Sequence, residues 1–282
     1  MSVFTFGQTS SGKTYTMKGI PADEGLVPLS LRRLFDKLDT KKDCMYRLTM
    51  SYYEIYNEQL NDLLDTQNKN LDVRENREGH FIVGISKHEI KTPEDGIRLF
   101  EFGEQERVYA TTKMNHKSSR SHVILQIYVE TRFKNKVNKT YHSNFLLADL
   151  GGSEGMKISG DNGKKANKEG ANINKSLSAL TNVIMKLEKR ATYIPYRDSK
   201  LTRILQPILS GNCKTNVICT LNCEDVHYSE SFNTIRFGLW AGGVKLSLKE
   251  LIVEEDIFLS KGDSQKIVEL TEINKSQENE IY

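Results

Sequence analysis

Gly7-Gln8-Thr9-Ser10-Ser11-Gly12-Lys13-Thr14 is the stretch on which the fold turns, because it fits the phosphate-binding pattern G-x-x-x-x-G-K-[ST] without remainder. Glycines at both ends let the backbone curl until several N–H groups face one phosphate chain. Lys13 offers a mobile positive charge for the outer phosphates, and the Thr14 hydroxyl offers a ligand for Mg²⁺. The flanks agree with the motif. Val3-Phe4-Thr5-Phe6 is a short apolar run suited to a buried strand, and Tyr15-Thr16-Met17 opens a helix whose positive end would face the phosphates. The expectation is a nucleoside triphosphate site.

Around this loop stand 282 residues, enough for one large domain or two small ones. No uninterrupted apolar stretch approaches membrane-spanning length and the N-terminus carries no signal-peptide pattern, which argues against membrane insertion and export. The net charge is only +3, so attraction to any polyanion must come from local clustering. Cys44, Cys213, Cys219 and Cys223 form no C-x-x-C pair. Cys219 and Cys223 are compatible with metal ligation but lack a companion pair at finger-like spacing. Reduced, mostly buried thiols in an intracellular chain are the better reading.

Outward from the loop, Pro28 to Leu38 has helical apolar spacing through Leu31, Leu34, Phe35 and Leu38. Tyr46 to Tyr56 is rich in strand formers, Asn57 to Leu64 turns helical, and Phe81 to Ile85 reads as another strand. Thr92-Pro93-Glu94-Asp95 is a helix start, with Thr92 as N-cap and Pro93 at the first helical position. Val123 to Thr131 and Tyr141 to Ala148 predict a hairpin. From Ile173 the apolar residues fall at Leu177, Leu180, Ile184 and Leu187, one face of a long helix. Asn216 to Leu221 is a last strand and Ser231 to Trp240 a last helix. Strands alternating with helices around a phosphate loop predict a three-layer α/β domain without internal repeats. Beyond Lys245 the composition shifts to Lys, Glu, Ser and Asn, a polar helical or partly disordered extension over 246–282.

A phosphate loop alone is shared by kinases, GTPases, transporter ATPases and motors. Further segments narrow the choice. Asn115-His116-Lys117-Ser118-Ser119-Arg120-Ser121-His122 is a dense hydroxyl cluster around one arginine. Asp149-Leu150-Gly151-Gly152-Ser153-Glu154 follows an apolar strand and has the D-x-x-G form of a γ-phosphate sensor. Asn172-Ile173-Asn174-Lys175-Ser176-Leu177 opens the long helix. With Tyr53-Glu54-Ile55-Tyr56-Asn57-Glu58 upstream and Tyr193 to Thr202 downstream, in this order, these segments resemble the kinesin motor domain from about Phe4 to Lys245. The phosphate loop is similar in wording to that of the centromere-associated subfamily. No Asn-Lys-x-Asp guanine signature follows, and Leu209-Ser210-Gly211-Asn212 only partly matches a transporter-ATPase signature.

The resemblance implies an α/β, three-layer P-loop NTPase fold of kinesin type, with a central mixed sheet and helices on both faces. It implies a motor domain over 1–245 that binds ATP and Mg²⁺ and moves on microtubules, with a cytoplasmic, cytoskeletal location and room for a homodimer through a downstream coiled coil. Nucleotide would be held by Gly7, Gln8, Thr9, Ser10, Ser11, Gly12, Lys13, Thr14 and Tyr15. Thr14 and Ser119 would ligate Mg²⁺ directly and Asp149 through water. Ser118 would orient the attacking water, the Gly152 N–H would feel the γ-phosphate, and Arg120 and Glu154 would form the salt bridge that closes the two switches. Taken singly, Ser118 and Ser119 fit a turn cap, Asp149 a strand end, and Arg120 and Glu154 solvated charges, while His116 and His122 read as structural.

Tubulin is acidic, so the partner face should be basic. Eleven Lys and Arg positions lie between 157 and 203, among them Lys157, Lys164, Lys165, Lys168, Lys175, Lys186, Arg197, Lys200 and Arg203, with Asn174 in the same stretch. No aromatic stacking platform accompanies them, which argues against nucleic acid. Three departures from the family stand out. Only six residues precede Gly7, so the first central strand and the adenine-contacting segment are expected to be missing and the motor domain incomplete at its N-terminus. Gly151 stands where the family usually has alanine. Trp240 and Gly242 replace basic residues near the last helix. The alternative these departures leave is a degenerate motor that binds microtubules without productive turnover.

Overall fold

The Val3–Phe6 run forms strand β1 (Ser2–Phe6), buried along its whole length. The computed structural model describes residues 1–76, 79–112, 120–133, 140–154, 168–211 and 213–245, of which 76, 79, 109–112 and 168–174 are described by backbone alone. The extension beyond 245 therefore lies outside the described residues. After β1 follow α1 (Lys13–Lys18), the two-residue strands β2 (Gly19–Ile20) and β3 (Asp23–Glu24), α2 (Leu26–Asp39), β4 (Cys44–Tyr56) and β5 (Gln59–Asp62). Then come β6 (Val73–Asn76), β7 (Gly79–Ile82), β8 (His88–Ile90), α3 (Pro93–Thr112), β9 (His122–Phe133) and β10 (Thr140–Asp149). The last elements are α4 (Lys168–Glu188), α5 (Lys200–Leu209), β11 (Thr215–Cys219) and α6 (Tyr228–Gly243).

The main sheet runs β11-β1-β10-β9-β4-β5, with β8 also on β4. β1 pairs in parallel with both β10 and β11, whereas β10–β9, β9–β4, β4–β5 and β4–β8 are antiparallel. The sheet is mixed, as the resemblance implied. β1 has a neighbour on each side, so the sheet has no gap there; among the described residues β11 ends the sheet on that side and β5 ends the order on the other.

Strand periodicity sorts the side chains into two cores, one on each face. Phe4, Phe6, Tyr53, Ile55, Ile124, Leu146 and Ala148 point to the side covered by Leu177, Leu180 and Ile184 of α4, Leu201 and Leu205 of α5, and Phe237 of α6. Val3, Leu48, Met50, Tyr52, Leu125, Ile127 and Leu147 point to the other, under Met17 of α1, Leu31 and Phe35 of α2 and Phe100 of α3. Phe6 and Phe237 stack with ring centroids 3.8 Å apart. These are the three layers predicted.

One element is corrected. Asn57 to Leu64 is not helical. Asn57 and Glu58 adopt φ of 53° and 59°, the paired left-handed conformation of a two-residue hairpin turn, and β5 returns antiparallel along β4. The Asp62 carboxylate then holds the chain by accepting from the N–H groups of Leu64 at 2.8 Å and Ser86 at 2.7 Å. The α3 start is as read: the Asp95 N–H donates to Thr92 Oγ1 at 3.2 Å and the Thr92 N–H returns to Asp95 Oδ2 at 3.0 Å.

Candidate functional site

Parallel pairing in register sets Thr5 beside Asp149, so the loop after β1 and the loop after β10 leave the sheet together. Ligand sites of open α/β sheets form at such carboxyl ends. The Ser153 N–H donates to the Gly7 carbonyl at 3.0 Å, tying the two loops. Gly7 sits so close to the strand-end residue Thr220 that a Cβ would lie 2.3 Å from the Thr220 carbonyl oxygen, and Gly12 has φ 101°, so both positions require glycine. The Ser11 and Thr220 hydroxyls meet at 2.6 Å. Lys13 is buried and its ammonium donates to the carbonyls of Gly7 at 2.8 Å and Gln8 at 2.6 Å. Burial lowers its pKa, opposed by the charges of Asp149 and Glu154. Tyr15 is exposed and its hydroxyl donates to Asp23.

At the sensor end the Thr14 hydroxyl donates to Asp149 Oδ2 at 2.6 Å, and Thr5 Oγ1 donates to Asp149 Oδ1 at 3.2 Å. The Glu154 carboxylate accepts from the Thr9 N–H at 2.8 Å and from the Thr9 hydroxyl. A Cβ on Gly152 would lie 2.2 Å from Glu154 Oε2 and 2.4 Å from Thr9 Oγ1, whereas one on Gly151 would meet nothing closer than 3.4 Å. A cleft of ≈ 540 Å³, sized for a small ligand, is lined by Thr9, Ser10, Gly12, Lys13, Thr14, Tyr15 and Asp149, and also by Lys18, Glu104 and Arg107.

The chain matches the kinesin motor domain family over residues 1–244. The chain belongs to the kinesin family. It is 40% identical to Kinesin-like protein KIN-7L of rice over 99% of this chain and 44% of the rice protein. It is 39% identical to Kinesin-related protein 4 of Dictyostelium discoideum over 98% of this chain and 15% of that protein. A solved fast kinesin, described with implications for its ATPase mechanism and interactions with microtubules, superposes with TM-score 0.81 at 35% identity. That match covers 92% of this chain and 75% of the other. The chain thus spans less than half the length of these two curated relatives.

Set against the kinesin motif positions, the structure gathers Gly7 through Thr14, Asp149, Gly152 and Glu154 in one place. It does not join the switch pair: among the described residues Glu154 is held by Thr9, and Arg120 is exposed and makes no ion pair with it. Ser118 and Ser119 lie outside the described residues, as do Lys157, Lys164 and Lys165, and the side chains of Lys168 and Asn174. On the basic stretch Lys175 is exposed on α4 and Lys186 half-buried near its end. Arg197 reaches Glu75 at 3.1 Å. Lys200 and Arg203 are committed inward, donating to the Leu71 carbonyl at 2.9 Å and the Val73 carbonyl at 2.6 Å, so they fasten α5 to the chain around β6.

The residues that sequence reasoning missed are Tyr52, Glu104 and Arg107. Tyr52 donates to Glu104 Oε1 at 2.7 Å and Arg107 Nη1 approaches the same oxygen at 3.3 Å, all three being buried, while Lys18 comes within 3.4 Å of Oε2. The available signal was charge at apolar positions: Glu104 and Arg107 continue the Ile97, Phe100 face of α3. Thr220 had no local signal, lying 209 residues from Ser11.

Proposed function

We propose that the chain is a kinesin motor domain that hydrolyses ATP and couples turnover to microtubule binding and movement, in the cytoplasm and on its cytoskeleton. One observation carries this reading: the phosphate loop and the sensor loop are joined by two opposed contacts, Thr14 to Asp149 and Thr9 to Glu154. A terminal phosphate held by Lys13 and the loop N–H groups would lie where both loops register it. The residues fit such an occupant. Ser153 Oγ is buried without a hydrogen-bond partner among the described residues and has a proton to donate to a phosphate oxygen, and a Cβ at Gly7 or Gly152 would crowd the loops.

Phosphoryl transfer asks for positioning and charge stabilisation rather than covalent help. Thr14 and Asp149 are the hydroxyl and carboxylate that would hold Mg²⁺, with Ser119 as the partner suggested by the family; the ion would neutralise charge on the phosphate oxygens. Lys13 would turn from the loop carbonyls to the outer phosphates. Glu154 would exchange Thr9 for Arg120, and that exchange would close the switches over the nucleotide with Ser118 orienting water. Lys175 and Lys186 supply the basic face toward tubulin, joined by the lysines of 157–168. Dimerisation through a downstream coiled coil belongs to the same reading.

Steady-state ATP hydrolysis with and without stabilised microtubules tests it. A many-fold stimulation is expected, with tight nucleotide binding abolished by Lys13→Ala and turnover abolished by Glu154→Ala while binding persists. No turnover at any microtubule concentration, together with salt-sensitive co-sedimentation that ignores ATP and ADP, would instead mean a microtubule-binding pseudo-motor.

A further inference from the structure

His122 opens β9 opposite Ile55 of β4 and is 2% exposed. Its two ring nitrogens bind two different parts of the molecule. The Gly151 N–H lies 3.0 Å from Nδ1, and Nε2 lies 2.7 Å from the hydroxyl of Ser176 on α4. A backbone amide only donates, so Nδ1 presents its lone pair, the proton sits on Nε2, and Ser176 Oγ accepts from it. Burial, aided by the charge of Lys13, pulls the imidazole pKa down to about 3, so the ring keeps this neutral form at any working pH.

The arrangement is stiff. An aromatic ring with opposed nitrogens cannot follow a shift of one partner by rotating without losing the other bond, and an unmet bond in a buried site is costly. Gly151 directly precedes Gly152, whose N–H is the group that the kinesin resemblance sets toward the γ-phosphate. Ser176 is also 2% exposed, one position before Leu177, which is fully buried in the core under α4. α4 carries the basic residues Lys175 and Lys186.

We propose that His122 is a positioning residue that couples the sensor loop to α4, passing a displacement of the Gly151–Gly152 backbone through the imidazole to the Ser176 hydroxyl. The coupling is between a nucleoside triphosphate and a helix, so it rests on the nucleotide half of the proposed function and not on the microtubule half. His122 touches neither phosphate nor metal in this scheme; it sets how far α4 follows the sensor.

The test compares amide hydrogen exchange of residues 175–188 with ADP and with the non-hydrolysable analogue AMP-PNP, in the whole chain and in two variants. Ser176→Ala removes the helix end of the relay. His122→Asn keeps an acceptor for the Gly151 N–H but is too short to reach Ser176. Both variants are expected to bind AMP-PNP within about twofold of the unaltered chain, yet to lose the α4 exchange response by about fivefold or more. If His122→Asn does not fold, Ser176→Ala decides alone, being a small change at a single hydroxyl. An unaltered chain whose α4 amides ignore AMP-PNP, or variants whose α4 amides respond as fully as it does, overturns the relay. Microtubule-stimulated turnover, measured in parallel, tests the motor function separately and has no bearing on the relay.

Discussion

Gly151 and Gly152 are neighbours in the sensor loop, and the structure assigns their alanine variants opposite outcomes. At Gly151 the added Cβ would find its nearest atoms at 3.4 Å and 3.5 Å, ordinary contact, and the backbone φ is not positive. Removing a glycine from a compatible position stabilises by about 0.4–1 kcal/mol through the unfolded chain, which for a domain of this size raises Tm by about 1–4 °C. At Gly152 the Cβ would lie 2.2 Å and 2.4 Å from the Glu154 carboxylate and 2.4 Å from Thr9 Oγ1. Those atoms end mobile side chains, so the fold survives, but Glu154 must leave Thr9. The displaced contact is a charge-assisted pair of hydrogen bonds on an exposed carboxylate, worth about 1 kcal/mol after solvent screening. Stability should therefore fall by about 2–4 °C in Tm at most, whereas turnover, which depends on the placement of Glu154 and the Gly152 N–H, should fall about tenfold or more. Thermal unfolding and ATP hydrolysis on the two single variants read both numbers. Equal damage from both substitutions, or normal turnover in Gly152→Ala, would show that the sensor geometry described above does not govern the reaction.

Below its unfolded-state pKa of about 6.5, His122 takes up a proton in the unfolded chain but not in the folded one, so stability should fall as pH drops toward about 3. Between about pH 7.5 and 5.5 this amounts to about 1.4 kcal/mol, read as the part of the urea-unfolding loss that is absent in His122→Asn. An identical loss in both chains would remove His122 as its source. Tyr52→Phe strips a buried donor from Glu104 and should lower unfolding stability by about 1–3 kcal/mol; a change within experimental error would show that Arg107 and Lys18 suffice. Lys175→Ala with Lys186→Ala should weaken microtubule co-sedimentation and flatten its salt dependence without shifting Tm. Lys200→Ala and Arg203→Ala should do the reverse, lowering Tm through the lost bonds to Leu71 and Val73, and a matching loss of microtubule affinity in all four would contradict that division.

Where apolar spacing matched one regular element and had no rival, the sequence was readable. Leu31 and Phe35 announced α2, Leu177 to Ile184 announced α4, and the alternation through Val123 and Leu125 announced the β9–β10 hairpin, because each pattern is what one buried face demands. Asn57 to Leu64 misled for the same reason. Leu60, Leu63 and Leu64 have helical spacing, yet two left-handed residues and the open edge of β4 made a hairpin stronger than a short helix. Lys200 and Arg203 looked like surface charge until the carbonyls of Leu71 and Val73 claimed them.

By itself the sequence determined the phosphate loop, the sensor loop, the alternation that makes three layers and the kinesin family, since each is written in neighbouring residues whose types and spacing have few other uses. Only the tertiary structure decided that Glu154 is held by Thr9 rather than Arg120, that Asp149 faces Thr14, and that His122 stands between Gly151 and Ser176. Those partners lie 29 to 145 residues apart; the phosphate-loop and sensor contacts meet because β1 sits in parallel beside β10, and those of His122 because β9 pairs with β10 and α4 packs on the same sheet. Strand order of that kind comes from how whole elements share two cores, and no local pattern records it.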